Sequence, residues 1–204
     1  MEKKFILTDK FVINSFGIKL FQIKCTKSFK YAQKGDFGGY VEKEGNLDQE
    51  NDAWVFGNAR VFGNARVSSN ARVSGDAWVS DNALVSGDAW VSDNAWVSSN
   101  AWVSGDARVS GDARVSGNAW VSGNADIEND NEHCGFDGFG SCNRHTHAYM
   151  TKEKKVEIIC GCFRGSIEEF EKKVEETHSG TVYEKQYKSI INVIKIKFGL
   201  TDFT

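Results

Sequence analysis

The chain has 204 residues, a formal net charge of −3 and no proline. That charge leaves no bulk basic field to hold duplex nucleic acid, and no apolar run reaches the ~18 residues of a membrane span. The start, Met1 to Asp9, turns polar too soon for a secretory signal, and five cysteines without such a signal suggest free thiols in a reducing cytoplasm.

Residues 1–40 are expected to form an N-terminal β-hairpin cap. Phe11-Val12-Ile13 and Ile18 to Cys25 flank the turn residues Asn14-Ser15-Phe16-Gly17. Gly35 to Tyr40 reads as a turn into the next region. Val41 and Leu47 precede Ala53 at multiples of the later period. They are therefore expected in the column that alanine fills further on, in a first coil widened to meet the cap.

Residues 41–127 then repeat with a period of six. Valine recurs from Val55 to Val121 and Ile127 closes the series, alanine recurs from Ala53 to Ala125, and Asn or Asp precedes each alanine. Period six does not fit a helix. It fits a short strand, such as Trp78-Val79-Ser80, followed by a turn, such as Asp81-Asn82, whose residues tolerate left-handed backbone or bond their own backbone. Three such pieces close a coil, and stacked coils pair through backbone hydrogen bonds about 4.8 Å apart. Valine points inward and its neighbours outward.

The hexad Val-Ser-Gly-Asp-Ala-Trp resembles the repeat of the left-handed parallel β-helix superfamily, in which an aliphatic residue is followed four positions on by a small one. The resemblance implies a mainly β fold, a three-sided left-handed hexapeptide solenoid. It says little about activity, because that superfamily holds acyltransferases, γ-type carbonic anhydrases and non-catalytic proteins.

The residue before each valine should face outward, and residues 18 apart should share a face. One face carries Arg60, Trp78, Trp96 and Arg114. A second carries Arg66, Leu84, Trp102 and Trp120, and a third Trp54, Arg72, Trp90, Arg108 and Asp126. All six tryptophans are in this column. Exposed Trp and Arg are typical of interface hot spots, and self-association is the commonest form of interface. The alternative is that Arg stacks on Trp and merely covers the strands. Residues 51–127 hold eight Asp against five Arg and no Lys. That balance favours a protein partner or a small anionic ligand over a long polyanion.

Residues 128–153 break the repeat and read as a Gly-, Cys- and His-rich loop. Residues 154–204 read as a small α/β unit: a strand over Lys155–Phe163, a helix opened by the capping box Ser166-Ile167-Glu168-Glu169 with a stripe of Ile167, Phe170 and Val174, and a second helix carrying Tyr183, Tyr187, Ile190, Ile191, Ile194 and Phe198. His133, Cys134, Cys142, His145 and His147, with Cys160 and Cys162, supply zinc-type ligands. Their spacing matches no strong zinc pattern, so they rank only as weak metal candidates, against packed thiols and structural histidines. No metal or other cofactor is assigned.

Lys34-Gly35-Asp36-Phe37-Gly38-Gly39-Tyr40-Val41-Glu42 before the repeats, and Cys160-Gly161-Cys162-Phe163-Arg164-Gly165-Ser166-Ile167-Glu168-Glu169-Phe170 after them, resemble segments of phage and prophage hexapeptide-repeat proteins. That resemblance implies action in the cytoplasm of a bacterial host, with inhibition of a host defence system one reading. The coils carry neither a histidine nor a projecting loop, so they lack a placed general base. The sequence therefore points to a non-enzymatic binding protein. An acyltransferase-like enzyme and a purely structural oligomer are the alternatives.

Overall fold

The computed structural model describes residues 2–200; Met1 and residues 201–204, which the sequence assigns to the cap and to the C-terminal unit, lie outside the described residues. After three N-terminal strands, β1 (Phe5–Ile13), β2 (Lys19–Cys25) and β3 (Phe37–Val41), come thirteen two-residue strands, β4 (Trp54–Val55) through β16 (Asp126–Ile127). Each of the thirteen is an outward residue followed by valine or isoleucine. Every third one pairs in parallel, so they sort into three sheets and build a solenoid of about five turns.

Every repeat valine from Val55 to Val121 is fully buried, and the alanines are at most 4% exposed. Burying one such valine is worth about 1.5–2 kcal/mol, so strands of two residues suffice when thirteen of them stack in register. The corners turn through left-handed backbone. Glycine adopts it at Gly63, where φ is 68°, and Asp81 and Asp93 adopt it at 58° and 59°. These aspartates offset the strain by accepting N–H bonds from the next coil, Ser99 to Asp81 at 3.0 Å and Gly111 to Asp93 at 3.4 Å.

Within each parallel strand pair bonds run both ways, but the bonds that flank the strands all run from one coil to the one after it. Trp54 N–H reaches Ala71 O at 3.0 Å, and Phe56 N–H reaches Val73 O at 2.8 Å. The two ends of the solenoid therefore differ in balance: the first coil leaves more carbonyls than amides open, and the last more amides than carbonyls. The N-terminal end is closed by donors. Tyr40 N–H meets Ala59 O at 2.9 Å, the Asn46 side chain meets Ala65 O at 2.8 Å, and Lys4 Nζ meets Ala53 O at 2.9 Å and also Asn51 O. The C-terminal end is closed by acceptors, among them Asp130 Oδ1, which takes Arg114 N–H at 2.8 Å.

The hairpin expected at 1–40 is present as β1 and β2. The first coil corrects the reading of Val41 and Leu47. They lie over Val61 and Val67, in the valine column and not the alanine column. Two extra residues between Leu47 and Val55 shift the register, and Gly35–Tyr40 runs into a strand, β3, and is not only a turn.

The segment 128–153 is not a loop. His133–Phe139 (β17) and Arg144–Met150 (β18) form a bulged hairpin that joins Val156–Cys160 (β19) and Phe163–Ser166 (β20) in an antiparallel sheet. Glycines at 135, 138 and 140 hid the strand alternation. One side of this sheet, with Tyr149 and Ile159, packs on the last coil. The other, with Ala148, Ile158 and Cys160, packs on helices α1 (Ile167–His178) and α2 (Val182–Lys197). The capping box forms as expected, Glu169 N–H to Ser166 Oγ at 3.2 Å and Ser166 N–H to Glu169 Oε2 at 2.8 Å. No helix among the described residues is long and apolar enough to cross a membrane.

Candidate functional site

The outward column forms three ladders with the pairings expected. Arg60, Trp78, Trp96 and Arg114 run down one sheet. Arg66, Leu84, Trp102 and Trp120 run down a second. Trp54, Arg72, Trp90, Arg108 and Asp126 run down the third. The rings are pinned as well as stacked. An indole at one position reaches a corner serine sixteen residues back, Trp90 Nε1 to Ser74 Oγ at 2.9 Å, Trp96 to Ser80 at 3.2 Å and Trp102 to Ser86 at 3.2 Å.

The three ladders differ in what covers them. Trp54 keeps its place in the outer column but is not exposed as expected: it is 1% exposed, with Phe29 and Phe5 rings at 5.3 and 6.3 Å. The cap folds over the first coil and buries it. Trp78 is half-buried against Phe62 at 5.8 Å and Phe16, at the hairpin tip, at 6.1 Å. Its neighbours in the ladder are Trp96, edge-on at 5.7 Å, and the Arg60 guanidinium at 5.2 Å. The second ladder is the open one. Leu84, Trp102 and Trp120 are 40%, 40% and 37% exposed, and the two indoles stack at 5.0 Å and 4°.

The third ladder contains a recess. Trp90 is held between Arg72 and Arg108, with guanidinium carbons 4.7 and 5.6 Å from its ring. Tyr31 and Phe56 from the cap side complete an aromatic wall with centroids 6.4 Å apart, and Lys30 Nζ lies 4.9 Å from the Tyr31 ring. The cleft encloses about 440 Å³. Arg72 Nε is buried there without a hydrogen-bond partner. Arg60 Nε is in the same position on the first ladder. Lys30 and Tyr31 were invisible to the repeat analysis, because they lie outside the repeat and reach the face only when the cap folds over it, where Tyr31 meets Phe56 of the first hexad.

The weak metal candidates divide. The hairpin brings His133, His145 and His147 together at the end of the solenoid. His133 Nδ1 is 3.2 Å from His147 Nε2, His147 Nδ1 is 3.1 Å from Trp120 O, and His145 Nδ1 is 2.8 Å from Asp137 Oδ1. Burial holds His133 below the usual histidine range and pushes His147 down to about 3, while the His145 hydrogen bond lowers the Asp137 carboxyl. A string of side-chain amides runs into this cluster. Asn64 donates to Asn82, Asn82 to Asn100, Asn100 to Asn118 and Asn118 to Asp137, at 3.1 to 3.3 Å.

Cys134 packs instead toward the helices, where burial pushes its thiol up to about 11. Cys142 is exposed and lines, with Cys160, Cys162, Arg144 and Tyr187, a separate cavity of about 300 Å³ in the C-terminal unit.

A comparison with curated proteins gives no match. The family model described as YdcK Beta solenoid repeat matches residues 53–69, 65–81, 77–93 and 107–123. All four matches fall within the stacked coils, so the centre of this chain is a β-solenoid repeat and the chain a β-helix repeat protein.

Proposed function

We propose that this is a non-enzymatic binding protein whose solenoid holds a small planar anion in the cleft at Trp90. The observation that carries the reading is a buried, unpartnered Arg72 Nε inside an aromatic recess. A buried donor without a partner costs about 1–3 kcal/mol, which an anionic oxygen would relieve when the guanidinium turns toward the cleft. Trp90, Tyr31 and Phe56 give the cleft an apolar aromatic lining for a ring, and Lys30, Arg72 and Arg108 supply positive charge. A nucleoside monophosphate has both features. Trp90 is pinned to the solenoid through Ser74, so little ordering entropy is lost there on binding.

We read the coil as the left-handed, three-sided hexapeptide form; six-residue spacing and pairing of every third strand support it. The resemblance to phage and prophage proteins supports a role in the cytoplasm of a bacterial host, where capture of a nucleotide-like signal would blunt a defence response.

The test is calorimetric titration with adenosine monophosphate, with adenosine and inorganic phosphate as controls. The nucleotide should bind at least tenfold more tightly than either control, and Arg72→Gln should weaken it about tenfold or more. No binding, or binding that Arg72→Gln and Lys30→Ala leave unchanged, sinks the reading.

A second reading rests on the open ladder. Stacked, exposed Trp102 and Trp120 beside exposed Leu84 suit contact with another copy of the chain. Light scattering on Trp102→Ser with Trp120→Ser should then give a smaller particle. An unchanged mass assigns the ladder to cover alone.

A further inference from the structure

We infer that His133, His145 and His147 form a site for one divalent transition-metal ion of the zinc class, at the junction of the β17–β18 hairpin with the last coil. The argument begins with where the imidazole protons must be. His147 Nδ1 faces the Trp120 carbonyl at 3.1 Å. A carbonyl only accepts, so the proton is on Nδ1 and Nε2 carries a bare lone pair. His145 Nδ1 faces the Asp137 carboxylate at 2.8 Å, which leaves its Nε2 bare as well. That nitrogen is buried without a partner.

His133 Nδ1 lies 3.2 Å from His147 Nε2. Two nitrogens on a tetrahedral zinc, with bonds of about 2.0–2.1 Å, stand about 3.3 Å apart. With its own proton on Nε2, on the side of Asp130 3.9 Å away, His133 presents a second lone pair to the same point. The far nitrogens of His147 and His145 thus face a carbonyl and a carboxylate, the arrangement that orients metal-bound histidines, while His133 Nε2 has no hydrogen-bond partner.

His145 is poised over the same space. A Cβ placed at Gly135 would meet its Nε2 at 2.9 Å and His147 Cδ2 at 3.6 Å. Glycine at 135 keeps that space open. Among the described residues no three His, Cys, Asp or Glu groups stand, as placed, where they could hold an ion. The set closes when the His145 ring swings about its Cβ and Asp137, whose side chain is 61% exposed, follows. A hydrogen bond between His133 and His147 accounts for that pair alone; it does not account for the bare, buried nitrogen of His145. Three imidazoles select zinc, copper or nickel over calcium or magnesium. The remaining position faces a cavity of about 270 Å³.

The experiment uses the whole chain, stripped with chelator and titrated with Zn²⁺ by calorimetry and with Co²⁺ by visible absorption. One ion per chain is expected, with a tetrahedral Co²⁺ spectrum that lacks thiolate charge-transfer bands. His145→Ala should weaken Zn²⁺ binding at least 100-fold. Asp137→Asn, which keeps all three rings, should weaken it about 10-fold. Circular dichroism checks that each variant is folded, and the unmutated chain alone remains decisive if one is not. The proposal is overturned by absence of stoichiometric binding, by a thiolate spectrum that Cys142→Ser or Cys162→Ser abolishes, or by unchanged affinity in folded His145→Ala.

Discussion

The two ends of the solenoid face opposite chemical problems. Outside the two-residue strands the rungs run one way, each coil's N–H groups donating to the next coil's carbonyls, while within each parallel strand pair one bond returns. The first coil is left needing chiefly donors and the last chiefly acceptors. The N-terminal end meets its need partly with a buried charge, Lys4, which is 4% exposed and donates to two carbonyls. The C-terminal end meets its need with surface carboxylate and backbone groups such as Asp130 and Glu128, and then with a whole antiparallel sheet. A parallel solenoid is therefore polar along its axis, and its caps are not interchangeable.

The sharpest way to break this comparison is Lys4→Met. It keeps the aliphatic stem but leaves the Asn51 and Ala53 carbonyls unpaired. A loss of about 2–3 kcal/mol is expected in urea unfolding, with Trp54 fluorescence reporting the opened cap. A loss below about 0.5 kcal/mol would mean the carbonyl end needs no donor there.

The same lysine sets a pH dependence. Burial pushes its pKa down to about 8 from 10.5. The unfolded chain then binds more protons between those two values, so Lys4 contributes stability that rises with pH across that window. Below pH 8 the cost of burying the charge is present in full. Because other groups titrate nearby, the informative quantity is the stability gap between the wild type and Lys4→Met. It should widen from pH 8 toward pH 10.5, and a gap that narrows contradicts the assignment.

At the other end, Asp130→Ala removes the acceptor for Arg114 N–H. Water reaches this exposed site, so a smaller loss of about 1 kcal/mol is expected, together with faster amide exchange at Arg114. The least effect belongs between the ends. Asn100→Ala cuts the amide string between Asn82 and Asn118 and should cost about 0.5 kcal/mol, since those amides can bond water instead. If Asn100→Ala costs more than Lys4→Met, stability resides in the corners and not in the caps.

The ladders show why some of the site was legible in the sequence. Strand alternation and an 18-residue coil place Trp90 over Arg72 and Trp102 over Trp120 without reference to coordinates. Exposure was not legible. Trp54 obeys the same pattern as Trp90 yet is buried, because Phe5 and Phe29 come from outside the repeat. The Trp90 cleft depends on Lys30 and Tyr31 for the same reason. The histidines were visible as residues, but the loop reading of 128–153 gave them no common face. Only the β17–β18 pairing, hidden by glycines, aligns them.

What the sequence by itself determined is the part where each residue's environment repeats: the coil period, the buried valine and alanine columns, the faces of the ladders, and the capped helix at Ser166. Those features follow from local geometry plus a nearest-neighbour stack, so a six-residue pattern suffices. Tertiary structure alone decided which tryptophans meet solvent, which donor closes the open carbonyls, and that the C-terminal sheet seats three histidines on the last coil. These depend on contacts between segments far apart in the chain, where no period links one partner to the other.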